Sequence, residues 1–250
     1  MLKIITTLSM LLIGALAQAQ VTEVRPISAF SEIAVSDGIE VVYTNEARLS
    51  LVTESEDVQG LRNIRTELDG NTLVISRAEK DGKASRVIIS ASGITAIQAN
   101  SGSTIKVNEL TGKSVSVAIA GGACFSGNII ADQINLKARN RSTINARIDG
   151  FALKGNFTTS SRINLSGSAH EAVLNADSKV FCTARNLKTG RMTANATGLS
   201  EIEAQATKEI HLSLSEASKI TYYGNPERVS LPKDAMTYAR NNIRASLTSK

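Results

Sequence analysis

The chain has 250 residues, 42% of them hydrophobic, and a formal net charge of +5. Lys and Arg are spread without a dense basic block, and aromatics are few, which argues against nucleic-acid binding. With no Trp, four Tyr and five Phe, the sequence is also poor in the ring platforms of a sugar-binding cleft.

Met1-Leu2-Lys3 gives a short positive start, and Ile4 to Ala17 is an apolar run broken only by Thr6, Thr7, Ser9 and Gly14. Ala17-Gln18-Ala19 then offers small residues where a signal peptidase reads, which predicts a secretory leader over 1–19 cut between Ala19 and Gln20. The run is too short and weakly flanked for a membrane span, and no later stretch is long and apolar enough. Loss of Lys3 lowers the formal charge from +5 to +4. The expectation is an exported chain, in the periplasm, on the outer-membrane surface or outside the cell. No cysteine stands near the cut, so no lipoprotein anchor is expected.

Residues 20–93 read as an irregular β region. Phe30, Ile33 and Val35 alternate loosely, Asp37-Gly38 signals a turn, and Ile39, Val41 and Tyr43 follow. Leu49 and Leu51 form a further strand, and Val58, Leu61 and Ile64 suit one short helical turn. Ile64, Thr66 and Leu68 run through Asp69-Gly70-Asn71 to Leu73 and Ile75, a hairpin signal. Val87, Ile89 and Ala91 lead onward. Such strands could cap the open end of a solenoid.

From 94 to 229 the chain repeats. Alternating apolar residues lead to a polar corner and then to another apolar residue: Ile105, Phe125, Ile144, Ile163, Val180, Ile202 and Ile220, a mean spacing of about 19. Period-two alternation within segments, repeated about every 19 residues, predicts stacked strands with one rung per repeat. The unit reaching Val180 is short by this count. Corners such as Asn100-Ser101-Gly102-Ser103 and Arg139-Asn140-Arg141-Ser142 carry residues that tolerate left-handed backbone. A Ser stands two places before six of the seven anchors: Ser103, Ser142, Ser161, Ser178, Ser200 and Ser218, with Ala123 the exception. The register sets Cys124 outward and Cys182 inward, three rungs or roughly 14 Å apart, beyond the reach of a disulfide. After Gly224-Asn225-Pro226 the pattern stops, and 230–250 reads as a polar basic tail.

With its leader, Phe30-Ser31-Glu32-Ile33-Ala34-Val35, Asp37-Gly38-Ile39-Glu40-Val41, Leu68-Asp69-Gly70-Asn71-Thr72-Leu73-Val74-Ile75, the Ser-x-Ile corners and Tyr223-Gly224-Asn225-Pro226, the chain resembles the exported head GIN domain family of autotransporter-adhesin heads. The resemblance runs from about Val24 to Val229. It implies an all-β, right-handed parallel β-helix similar to pectin lyases, with no assigned activity and no functional residues to transfer.

Catalytic patterns are missing. Asp132, Asp149 and Asp177 fall at different lateral positions, His170 and His211 lack metal-ligand spacing, and no Gly-x-Ser-x-Gly elbow or phosphate loop occurs. No enzyme activity and no cofactor or metal is expected. The reading is a non-catalytic β-helix presenting a repetitive polar surface for adhesion or cell-envelope interaction, toward a surface glycan or another exported protein. The alternative is a polysaccharide-binding or polysaccharide-degrading protein on the same scaffold. Ser101, Ser103, Asn140, Arg141, Ser142, Ser161 and Ser200 are expected as an exposed corner ladder. Open ends and outer faces leave room for a homo-oligomer.

Overall fold

A computed structural model describes residues 20–79, 84–215, 217–231 and the backbone of 243–246. The expected leader, with Ala19 of the cleavage pair, lies outside the described residues; Gln20 is the first described and is exposed.

Alternation of β-branched and polar residues becomes five long strands: β9 (Thr104–Ile119), β10 (Cys124–Ala138), β11 (Thr143–Thr158), β12 (Arg162–Asp177) and β13 (Phe181–Ala196). Each pairs in parallel with the next, nearly in register along its whole length. The following rungs split in two. β14 (Glu201–Gln205) and β15 (Glu209–Leu214) lie on the two halves of β13, and β16 (Lys219–Tyr223) and β17 (Arg228–Ser230) lie on those. The result is a β-solenoid of about 7 turns with rungs about 19 residues apart.

Register corrects one anchor. Ile163 pairs with Cys182, and Cys182 with Ile202. The inward column is therefore Ile105, Phe125, Ile144, Ile163, Cys182, Ile202 and Ile220, and the expected short unit disappears. Val180 is buried, but one inward position earlier, where the neighbouring rungs carry Ser161 and Ser200. Each aliphatic side chain taken out of water in this column contributes roughly 1.5–3 kcal/mol.

Mid-rung columns escaped the alternation pattern. Leu110, Ile129 and Ile148 stack inward, as do the small residues Ala131 and Ala169, whose column also holds half-buried Gly150 and exposed Gly112. Opposite Gly127/Asn128 and Asn164/Ser166 the register shifts by one extra residue, Asn108 in β9 and one residue between Thr183 and Asn186 in β13, so a strict period of two cannot follow those strands through the bend.

The N-terminal region is threaded out of order. β2 (Glu32–Val35) and β3 (Glu40–Asn45) form one rung. The chain then leaves for the end of the stack. There β4 (Ser50–Ser55) pairs antiparallel with β1 (Val21–Val24), α1 (Val58–Asn63) starts on the Asp57 cap, and β5 (Ile64–Asp69) makes the expected hairpin with β6 (Thr72–Arg77). β6 and β7 (Ser85–Ala91) return as the outermost rung, and β8 (Ala96–Ala99) crosses to the other side. β2 thus lies between β6 and β8, and β3 between β7 and β9. Tyr43 is buried here, its hydroxyl donating to the Ala91 carbonyl oxygen at 3.0 Å.

The pattern also continues past Pro226. β17 belongs to the stack, and β18 (Ile243–Ser246) pairs in parallel with β16. Part of the expected tail is therefore a further partial rung; 232–242 and 247–250 lie outside the described residues.

Candidate functional surface

Seven corners stacked along the solenoid each use two consecutive residues of positive φ: Asp37 and Gly38, Ser101 and Gly102, Gly121 and Gly122, Asn140 and Arg141, Thr159 and Ser160, Ser178 and Lys179, Gly198 and Leu199. Two such residues in succession reverse the chain tightly. The corners stack through their own backbone: Gly122 N donates to Asn140 O at 2.9 Å, Arg141 N to Thr159 O at 2.9 Å and Ser160 N to Ser178 O at 2.8 Å.

This geometry divides the expected corner ladder. Ser101, Asn140 and Arg141 stand at the turn tips and are exposed. Ser103, Ser142, Ser161 and Ser200 are buried. They stand two places before an inward anchor, so they share its parity and face the core. Ser142 Oγ donates to Arg139 O at 2.6 Å and Ser161 Oγ to Thr158 O at 2.7 Å, closing the turns from inside. Ser200 Oγ accepts from Val180 N at 3.1 Å, and Ser218 Oγ from Ser200 N at 3.2 Å. Ser178 leaves the column for the exposed tip. These serines build the scaffold.

The outer faces carry ladders of another kind. On one face Asn195 Nδ2 donates to Asn175 Oδ1 at 2.7 Å, and Asn175 Nδ2 to Asn156 Oδ1 at 2.9 Å. On another, Asn164 Nδ2 donates to Asn145 Oδ1 at 2.7 Å. The sequence did carry a signal for them: their spacings of 19 and 20 match the repeat. Apolar alternation marks inward positions only, so it carries no information on these outward ones.

Charges also alternate from rung to rung. Glu40 Oε1 accepts from Lys106 Nζ at 2.8 Å and from Arg86 Nη2 at 3.2 Å. The Lys106 ammonium, aided by Arg86, holds the Glu40 carboxyl below its usual range against the opposing effect of burial. Farther along, Arg191 bonds Glu171, and Arg228 reaches Glu209 at 3.3 Å. The hydrogen bond from Arg191 lowers the Glu171 carboxyl. Beside that ladder the exposed rings of Phe151 and His170 stack at 4.8 Å and 7°.

Asp132, Asp149 and Asp177 occupy three separate columns: Asp149 pairs with Ile130 and Ser168, Asp132 falls level with Phe151, and Asp177 pairs with Thr158. Among the described residues no three of His, Cys, Asp and Glu gather in a way that could hold a metal ion, and no helix is long and apolar enough to cross a membrane. Both cysteines are free. Burial pushes the Cys182 thiol up to about 12, with the Glu203 charge adding to the effect, while the half-buried Cys124 thiol is raised by desolvation.

These features define a β-solenoid whose accessible chemistry lies on its outer faces. The chain belongs to the family described as "Putative auto-transporter adhesin, head GIN domain", whose model matches residues 29–226. Crystal structures share the fold. A "putative adhesin" from Parabacteroides distasonis is 16% identical, with a TM-score of 0.79 over 91% of this chain and 94% of the other. A "putative adhesin" from Parabacteroides merdae is 14% identical, with a TM-score of 0.78 over 90% and 95%. A "putative lipid binding protein" from Parabacteroides distasonis is 16% identical, with a TM-score of 0.77 over 91% and 97%. No curated protein matches the chain.

Proposed function

We propose that this protein is an exported, non-catalytic β-solenoid that makes adhesive contacts within the cell envelope or at the cell surface. The observation that carries the reading is the amide ladder Asn156–Asn175–Asn195. Rungs at about 4.8 Å hold these groups at fixed spacing, so a partner with repeated hydrogen-bonding groups meets preorganised partners with little further loss of entropy. Adhesin-named structures with the same fold, and membership of an adhesin-described family, support it. A cell-surface glycan and another exported protein are the two partners to test.

The test starts with cell fractionation and surface protease treatment, which should place the protein outside the cytoplasm. The purified chain is then bound to isolated envelopes and to a glycan array. Replacing Asn175 and Asn195 by Ala should lower envelope binding about tenfold or more, since each lost hydrogen bond is worth about 1 kcal/mol, while circular dichroism stays unchanged. Unaltered binding would remove the ladder from the account. Unsaturated or reducing sugar ends released from the array would make the protein an enzyme.

A further inference from the structure

A groove of about 620 Å³ runs along the bend between one outer face and the corners. It lies within the size range of small-molecule sites, about 300–1,000 Å³. Its outward residues form one in-register column across six rungs, in the spatial order Val74, Ala34, Gln98, Ala118, Lys137 and Asn156. At about 4.8 Å per rung, the four intervals from Val74 to Lys137 span roughly 19 Å. Val74, Ala34, Ala118 and Ala120 give the floor short apolar side chains, interrupted on the third rung by exposed Gln98, with Ser36 and Asn100 along the corner edge. Lys137 and Arg139 stand together on the fifth rung, both exposed. Among the described residues neither makes an ion pair.

We infer that this groove takes a single extended alkyl chain with an anionic head, of the long-chain fatty-acid class. The alkyl chain lies on Val74, Ala34 and Ala118, crossing the aliphatic stem of Gln98 between the last two, and the carboxylate meets Lys137 and Arg139. The match rests on length, on an apolar track and on charge at one end of it. An arginine fork and a carboxylate pair in a bidentate way, and apolar floor removed from water supplies the rest. Other occupants fit less well. No aromatic side chain lines the groove to stack on a sugar. A peptide strand would need a free sheet edge, whereas every strand of the floor from Ala34 to Lys137 is paired on both sides. An anionic polymer would call for cations along the track rather than on one rung. A bilayer would call for large exposed apolar groups, and those the molecule has, among them Val24, Val58, Leu68, Phe151 and Phe181, lie outside the groove. The groove shares only Asn156 with the amide ladder, and the residues that hold the alkyl chain and its head lie on other rungs, so its failure leaves the adhesive reading standing.

The test is displacement of the fluorescent fatty acid cis-parinarate from the purified chain. One site per chain should fill. Palmitate should displace the probe, with octanoate and 1-hexadecanol each at least about tenfold weaker, the first for lost apolar contact and the second for the lost charge. Replacing Lys137 and Arg139 by Glu should weaken palmitate about tenfold or more and leave hexadecanol unchanged. Gln98→Trp, at an exposed position, should block both ligands; Ala118→Leu provides a second filling variant should the first unfold by circular dichroism. Lys154→Glu, on the same face outside the groove, should change nothing. Absence of probe binding, equal displacement by octanoate and palmitate, or insensitivity of a folded filling variant would each overturn the proposal. So would sedimentation with phosphatidylcholine–phosphatidylglycerol vesicles without binding of free palmitate.

Discussion

At the scale of single residues, the buried serine column separates a side chain that satisfies the backbone from one that merely occupies space. Ser161 Oγ closes its turn by donating to Thr158 O at 2.7 Å. Ser103 Oγ is equally buried but has no hydrogen-bond partner among the described residues. A lost buried hydrogen bond costs about 1 kcal/mol or somewhat more, whereas removing an unpartnered hydroxyl costs little or stabilises. Ser161→Ala should therefore lower the urea midpoint clearly, and Ser103→Ala should leave it unchanged or raise it. Equal losses would show that packing, rather than the hydrogen bond, explains the serine. The sequence made this column visible but gave its direction wrongly. Ser, Thr and Asn look alike as corner residues, and only parity relative to the anchor separates a tip such as Asn140 from an inward position such as Ser142.

At the scale of elements, stacked strands restrict the residues at which two backbones approach. Gly167 has a φ of +99°, and a Cβ there would lie 2.0 Å from Ile148 O on the preceding rung. Gly102, at a φ of +73°, would meet nothing within 4 Å. Gly102→Ala then costs only the left-handed conformation, about 1–2 kcal/mol. Gly167→Ala adds a clash with fixed backbone and should cost more than roughly 3 kcal/mol. Thermal melts of the two variants decide it, and a larger loss at Gly102 would contradict this geometry. The long strands themselves were legible because five of them repeat the same apolar alternation. Their bends were not, since the extra residue Asn108 in β9, opposite Gly127/Asn128, moves the inward parity from Val107 to Leu110.

For the whole molecule, two buried acids couple stability to alkaline pH. Burial pushes the Tyr43 hydroxyl from 10.0 up to about 12 and the Cys182 thiol from 9.0 up to about 12. Both groups stay protonated in the native chain after they would ionise in the unfolded one. Their contribution is full below about pH 9 and is lost as pH rises toward 12, because the unfolded state is then favoured by ionisation. Urea midpoints should hold between pH 7 and 8.5 and fall by pH 11. The double variant Tyr43→Phe, Cys182→Ala should show a shallower fall than the parent, and an equal slope would locate the alkaline sensitivity elsewhere.

Sequence alone determined the β class, the period near 19, the corner chemistry and most of the core column, because hydrophobic alternation within a repeat reports which side of a strand faces inward. It also determined the hairpin around Gly70 and the inward direction of Cys182. Tertiary structure decided what depends on neighbours distant in the chain. It placed Cys182 rather than Val180 over Ile163, set the 32–45 rung between rungs formed by 72–91 and 96–107, turned four of the corner serines into the core, and aligned Val74, Ala34, Ala118 and Lys137 along one groove. Those outcomes follow from pairing register between strands, and local alternation fixes the facing of a residue without fixing the strand beside which it lies.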